Sequence, residues 1–387
     1  MARYRRNKFL TLVVKISKYC NLRCNYCYEY LELGNKARMP LDSIRRLMEN
    51  IARHATERDL ERVTLIWHGG EPLLVPLDYY EKILEMQQEA FVGTVKPNNA
   101  VQTNLTVMTD RHIEFLKSGK MFRGIGVSFD VYGNQRVDTQ GKLRTDQVLR
   151  NMQTLIDETI PFGAISVLSR DTASQVVEIY RFYDQLGVHS RLLPFYMNAT
   201  DEQVSRHALT FEEVTTALKR VFDAWMSSPT ATPVDPIDEY IEYAVSYLRG
   251  RPSETYEKEL DEGVFIVDLD GGTWGLSEAY DADYRYGNVF EQPFDQLLDA
   301  PSRARACREA DDRIEQNCRT CPYFGHCPGY FAGDATPEQQ ALLKRSGCPV
   351  QNVVEHIIHR FKESGVDVEA LAAASDKPAN EALAVAR

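Results

Sequence analysis

From residue 10 to about residue 195 the chain alternates short apolar runs with longer stretches of helical period. LTLVVKIS (10–17), RVTLIWHGG (62–70), NAVQTN (99–104), FRGIGVSFD (122–130), FGAISVLS (162–169) and SRLLPF (190–195) predict strands, several of them apolar on both faces. Between them, residues 40–55, 76–91, 109–119, 144–158 and 173–187 repeat apolar positions every three to four residues and predict helices. Pro40 sits near the first turn of the first helix, and glycines follow the third and fifth. Six such β/α units predict an α/β fold built on a parallel sheet with right-handed crossovers and its working loops at the C-terminal strand ends. Six units, short of eight, predict a partial, open (β/α)6 TIM-like barrel.

The pattern changes after residue 195. Residues 211–228 and 235–250 read as two amphipathic helices forming a helical bridge, the second opened by the proline cluster TPVDP. Residues 262–291 read as a β-hairpin around an Asp-Gly-Gly turn, and 351–364 as a C-terminal helix. The alanine-rich tail after about residue 368 is expected to be frayed and flexible. The expected division is a core over 1–200, the bridge over 201–255, a small domain over 256–350, and the helix and tail over 351–387.

Composition narrows the function. With 387 residues and 43% hydrophobic content the chain is enzyme-sized and globular. Fifty-six acidic against 45 basic residues give a net charge of −11, and no basic stripe dominates, which disfavours nucleic acid as a partner. No apolar run approaches the roughly 18–20 residues that span a bilayer. The basic-then-apolar N-terminus mimics a signal peptide, but Lys15 and Lys18 interrupt it and no cleavage site follows. A cytoplasmic protein is expected, with no membrane partner.

The eight cysteines are unevenly placed: Cys20, Cys24 and Cys27 form one group, five more lie between residues 307 and 348, and none lies between the groups. In a cytosolic chain of this length that is two ligand sets rather than a disulfide framework. Structural zinc usually takes four ligands, whereas three thiolates suit a [4Fe-4S] cluster with one open iron. The triplet follows the first strand, at the expected working end.

Cys20-x3-Cys24-x-Tyr26-Cys27 after a first strand resembles the radical S-adenosylmethionine (SAM) superfamily. The resemblance implies that an open iron chelates SAM and that an electron cleaves it to a 5′-deoxyadenosyl radical, which takes hydrogen from a substrate. Three further stretches match in place. Gly69-Gly70-Glu71 resembles the family's GGE motif, whose backbone and carboxylate hold the SAM ammonium group. Gln102-Thr103-Asn104 resembles its QTN segment. Ser128-Phe129-Asp130 resembles its S-x-D segment, although Val131 replaces the usual following glycine. The same resemblance makes Tyr26, Asn104, Ser128, Asp130, Arg144 (as partner of the SAM carboxylate) and Leu193 (as an apolar wall for adenine) candidate cofactor contacts.

Cys318-x2-Cys321-x5-Cys327, followed by Cys348, resembles the SPASM or twitch extension, which carries auxiliary [4Fe-4S] clusters in radical SAM enzymes that modify peptides and proteins. This chain has Phe331 where a fourth cysteine of the group belongs, and its hairpin has no cysteine, with Ser277 about where one would be. The resemblance then leaves one fully ligated auxiliary cluster on Cys318, Cys321, Cys327 and Cys348, suited to electron relay or structural pinning, with zinc as the rival occupant. Cys307 is left over, most simply as a buried thiol. Glu278 lies about where sulfatase-maturing relatives carry a catalytic aspartate. The expected activity is modification of a ribosomally made peptide, by crosslinking or another oxidation. The alternatives are a sulfatase-type formylglycine maturase, or a dehydrogenase or epimerase acting on a small molecule. An electron donor such as flavodoxin or ferredoxin is implied. With the first strand near residue 10, peptide capture falls to a separate recognition protein or to the helices of 211–250.

Overall fold

The computed structural model describes residues 8–195 and 201–373. Its strands are β1 (Phe9–Ser17), β2 (Arg62–Gly69), β3 (Asn98–Thr103), β4 (Gly124–Ser128), β5 (Gly163–Leu168), β6 (Ser190–Pro194), β7 (Val234–Asp235), β8 (Val264–Val267), β9 (Gly272–Gly275) and β10 (Gly287–Asn288). The six predicted core strands and their intervening helices all form, with bounds shifted by a residue or a few. The chain divides into two compact units. One comprises the described residues within 1–128, 136–162 and 257–311, and the other those within 129–135, 163–256 and 312–387.

In the first unit β1, β2, β3 and β4 run parallel in that order, and β8 pairs parallel with β1 on its other side. β9 and β10 then add antiparallel strands beyond β8. Alternation along the strands gives the sheet two distinct faces. Leu10, Leu12, Val14 and Ile16 of β1 and Val63, Leu65 and Trp67 of β2 are at most 1% exposed and form the apolar core. Each fully buried side chain of this kind contributes about 1.5–3 kcal/mol. The opposite face carries Lys15, His68, Gln102 and Ser128 toward the C-terminal strand ends, with Lys15 in register with His68. A register shift between Lys15 and Ser17 brings Ser17 opposite Gly69.

In the second unit β5, β6 and β7 are parallel. The helices Phe211–Ser227 and Pro349–Ser364 share a core in which Phe222 meets both Trp225 and Phe361. Thr210 opens the first of these helices with a capping box closed by Glu213. Gly187, at φ 63°, ends Val176–Leu186 in the left-handed conformation that glycine adopts without strain.

The units cut across the four segments expected from the sequence. The expected bridge packs with β5–β7, where the helix Asp201–His207 precedes Phe211–Ser227. The expected small domain is divided: residues 257–311 belong with the main sheet, because β8 takes its backbone hydrogen bonds from β1, and residues 312–350 belong with the second unit. Residues 368–373, expected to be frayed, form a short helix. The rest of the tail lies outside the described residues.

Candidate functional site

The loop after β1 brings Cys20, Cys24 and Cys27 into one cluster with Leu22 and Leu33. It is fixed by backbone bonds from Cys20 N to Leu33 O (3.1 Å), Cys27 N to Cys24 O (3.1 Å) and Arg23 N to Val137 O (2.7 Å). None of the three is in a disulfide. Burial, and then the charge of Glu71 for Cys20 and of Cys24 for Cys27, pushes the Cys20 and Cys27 thiols up to about 12. Such thiols keep their protons at neutral pH unless a metal cation takes the proton's place. The donor set is all sulfur and partly buried, which fits a soft iron–sulfur group.

Gly69 and Gly70 let the end of β2 press against this loop. A Cβ on Gly69 would lie 1.9 Å from Ser17 O, and one on Gly70 2.3 Å from Lys18 O and Tyr19 O. Gly69 also sits at φ 130°. Gly70 N and Glu71 N donate to Ser17 O and Tyr19 O, at 2.8 and 2.9 Å. The close approach here is therefore that of the chain's own backbone. Glu71 is fully buried and accepts from Leu73 N (2.8 Å) and Thr103 Oγ1 (2.7 Å) on one oxygen, and from Asn104 N (2.6 Å) on the other. Burial raises its carboxyl to about 7. Two carboxylate oxygens offer about four lone-pair directions, so these three donors leave room for one more.

Ser128 Oγ accepts from Gln102 Nε2 at 2.7 Å on the sheet's polar face. Tyr26 Oη accepts from Arg136 Nη2 at 2.6 Å, and Arg136 Nη1 lies 4.0 Å from Cys24 Sγ. Arg136 is 6% exposed. Arg144, the arginine singled out from the sequence, instead pairs with Asp138 through Nε (2.9 Å) and Nη2 (2.5 Å), at the start of Thr145–Asp157. In the second unit, Asp130 is buried and accepts Val167 N at 2.8 Å, and Leu193 is 42% exposed on β6.

Beside the triplet lies a buried charged cluster. Lys15 Nζ donates to Tyr28 Oη (2.6 Å) and to His68 Nδ1 (3.3 Å) and pairs with Glu29 (3.4 Å). Lys18 Nζ bridges Glu29 (3.5 Å) and Asp268 (2.8 Å). Burial alone would depress the Lys15 ammonium, but Glu29, Tyr28 and Tyr280 hold it above its ordinary range. Burial and then Lys15 push His68 down to about 3. Arg136, Lys15 and His68 were not among the residues singled out from the sequence.

Glu278 pairs with Lys258 at 3.1 Å, and Lys258 also reaches Glu262 (3.3 Å) and Ser277 Oγ (3.2 Å). Arg303 Nε donates to Glu262 at 2.8 Å. Gly275 makes room for this hub: a Cβ there would lie 2.2 Å from Glu262 Oε1 and 2.8 Å from Glu278 Oε2.

In the second unit Cys318, Cys321, Cys327 and Cys348 line one pocket whose other walls include Tyr323, Phe324, Phe331 and Val354. Cys318 ends a helix, Cys321 N bonds back to Cys318 O at 2.9 Å, and Cys348 stands immediately before Pro349–Ser364. Burial pushes Cys318 and Cys327 up to about 12. Four convergent thiols fit a fully ligated metal group. Cys307 does not line this pocket; it is buried in the first unit near Arg303.

Residues 14–183 match the Radical SAM superfamily. A cysteine-type anaerobic sulfatase-maturating enzyme of Clostridium novyi is 21% identical over 327 residues, covering 83% of this chain and 87% of that protein. A serine-type anaerobic sulfatase-maturating enzyme of Bacteroides thetaiotaomicron is 21% identical, covering 82% and 81%. Among solved structures, native anSMEcpe with bound AdoMet and Cp18Cys peptide aligns with a TM-score of 0.72 at 19% identity, covering 94% of this chain and 99% of that one. Streptococcus suis SuiB bound to precursor peptide SuiA aligns at 0.55 and 16% identity, covering 76% and 66%. These likenesses support the α/β partial-barrel fold. Among the described residues, no helix is long and apolar enough to cross a membrane.

Proposed function

Starting from a chain that carries a radical SAM domain over residues 14–183, we propose that this enzyme oxidatively modifies a residue within a peptide or protein substrate. The observation that carries the reading is the convergence of three partly buried thiols in one unit and four in the other. In this reading Cys20, Cys24 and Cys27 hold a [4Fe-4S] cluster with one iron open to SAM. Cys318, Cys321, Cys327 and Cys348 hold a second, closed cluster. When bound, the first cluster and SAM supply the 5′-deoxyadenosyl radical that removes a substrate hydrogen.

The chain's own residues bind and orient. Glu71 offers its remaining lone-pair direction to an ammonium group. Arg136, next to Cys24 and Tyr26, is better placed than Arg144 for a carboxylate, because Asp138 engages Arg144. Ser128 and Gln102 offer hydroxyl and amide groups on the same face. Glu278 fits the role of proton acceptor less well, because Lys258 engages its carboxylate in an ion pair at 3.1 Å.

Peptide chemistry is supported by the named activities of the relatives and by the peptides bound to two structural neighbours. Formylglycine formation on a sulfatase is a second reading, favoured by relatives of that name that cover over 80% of both chains. The test is anaerobic incubation with SAM, a reductant and two substrate sets. One set is cysteine- and serine-type sulfatase peptides; the other is short peptides encoded beside this chain. 5′-Deoxyadenosine together with a mass change in either set supports the proposal and selects the reading. A SAM-bound, iron-loaded protein that yields no 5′-deoxyadenosine refutes it. Iron analysis should give about eight irons per chain for two clusters, against about four irons and one zinc for a mixed pair.

A further inference from the structure

Asn104 closes the Gln102-Thr103-Asn104 run, and its hydrogen bonds can be counted in full. An asparagine side chain has two amide protons and two carbonyl lone pairs. Nδ2 donates to Cys20 Sγ at 3.6 Å and to Asn21 Oδ1 at 3.1 Å. Oδ1 accepts from Thr106 N at 2.9 Å and from Thr106 Oγ1 at 2.6 Å. All four places are taken. The orientation is not arbitrary: Thr106 N can only donate, so the oxygen must face it, and the amide protons then face the sulfur. Asn21 Nδ2 donates to Thr106 Oγ1 at 2.8 Å, which locks the three side chains together. Asn104 and Thr106 are 6% and 5% exposed. Cys20 Sγ takes a further N–H from Leu22 at 3.3 Å.

We propose that Asn104 is a positioning residue for the Cys20 thiolate: it donates an N–H···S hydrogen bond that raises the reduction potential of the cluster at the triplet, and it makes no contact with SAM. This rests on the reading that Cys20, Cys24 and Cys27 hold a [4Fe-4S] cluster. Reduction adds a negative charge that is shared by the sulfurs, so an N–H donor stabilises the reduced state more than the oxidised one. Thr106 and Asn21 keep that donor aimed and screened from water.

The test uses the full chain, reconstituted anaerobically. Asn104→Leu removes the donor. Thr106→Val removes the hydroxyl that donates to Asn104 Oδ1 and accepts from Asn21, keeps the backbone N–H bond to Asn104, and is the milder lesion should the first variant misfold. Dye-mediated titration, read on the EPR signal that responds to added SAM, gives the midpoint potential; the shift of that signal with SAM concentration gives the affinity. Both variants should have more negative potentials with SAM affinity unchanged, Asn104→Leu the more so. A change of about tenfold in the ratio of reduced to oxidised cluster at fixed poise corresponds to about 59 mV for one electron. Weakened SAM binding at an unaltered potential would assign Asn104 to the ligand and overturn the proposal. A wild-type cluster whose potential neither variant moves overturns it alone. Wild-type protein without iron at the triplet overturns it together with the reading it rests on.

Discussion

The two thiol sets are built from the same atoms and surrounded differently. Around Cys20, Cys24 and Cys27 stand Asn104, Arg136 and Glu71, all buried and polar, on a loop pinned by backbone hydrogen bonds. Around Cys318, Cys321, Cys327 and Cys348 stand Tyr323, Phe324, Phe331 and Val354. Three thiols among hydrogen-bonding groups suit a metal corner that exchanges a small polar ligand. Four among aromatic walls suit a group that neither binds nor releases anything. In the proposed reading the surroundings thus distinguish a reacting centre from a passive one, which cysteine count alone only hints at.

The largest expected effect tests this contrast directly. Cys24→Ala should abolish 5′-deoxyadenosine formation while about four irons per chain remain. Cys321→Ala should still cleave SAM, uncoupled from product. Chromatography of the nucleoside products together with iron assay decides it, and equal loss in both variants would erase the distinction. Next, Gly70→Ala places a methyl group 2.3 Å from two carbonyl oxygens of the triplet loop. It should cost about 1–3 kcal/mol and lower cluster loading at the triplet alone, seen as a selective loss of the SAM-responsive EPR signal.

Lys15→Met removes the ammonium at the centre of the buried cluster beside the triplet. Breaking a buried pair costs about 3–5 kcal/mol, here softened because Lys18 also faces Glu29. Denaturant unfolding of the apoprotein should show the loss, and Lys15→Met/Glu29→Gln should recover part of it. No recovery would mean that packing, and not charge, holds the cluster. The smallest effect is in pH. His68 titrates near 3 when folded, against an ordinary 6.5. Between those values the unfolded chain binds a proton that the folded chain refuses, so apoprotein stability should fall as pH drops from about 6.5 toward 3. His68→Gln should flatten that slope. An unchanged slope would place the acid sensitivity elsewhere.

Much of the fold was legible because β1 through β6 and their helices follow strong, separate periodicities. The two groups of cysteines were legible from their spacing, and the resemblance to the SPASM extension set Cys318, Cys321, Cys327 and Cys348 apart from Cys307. What escaped depends on contacts distant in sequence. β8 has only four residues and is defined by pairing with β1 some 250 positions away, so its residues read as part of an isolated hairpin. The helix Pro301–Cys318 is so polar that its buried apolar positions, Ala306, Cys307, Ala310, Ile314 and Cys318, give a weak period. Arg136 and Arg144 lie in one loop, and spacing gave no reason to prefer the former. The bridge between Leu22 and Asp138 sets that loop against the triplet, and Asp138 engages Arg144. Lys15 looked like a charge that spoils an apolar run; in the folded sheet it faces away from the core, toward Glu29.

The Lys258 hub bears on what the hairpin region asks of a metal. Two cations, Lys258 and Arg303, meet two anions, Glu262 and Glu278, so the hairpin region needs no metal to balance its buried charge. Removing iron is therefore not expected to unbalance the buried charge of the hairpin region.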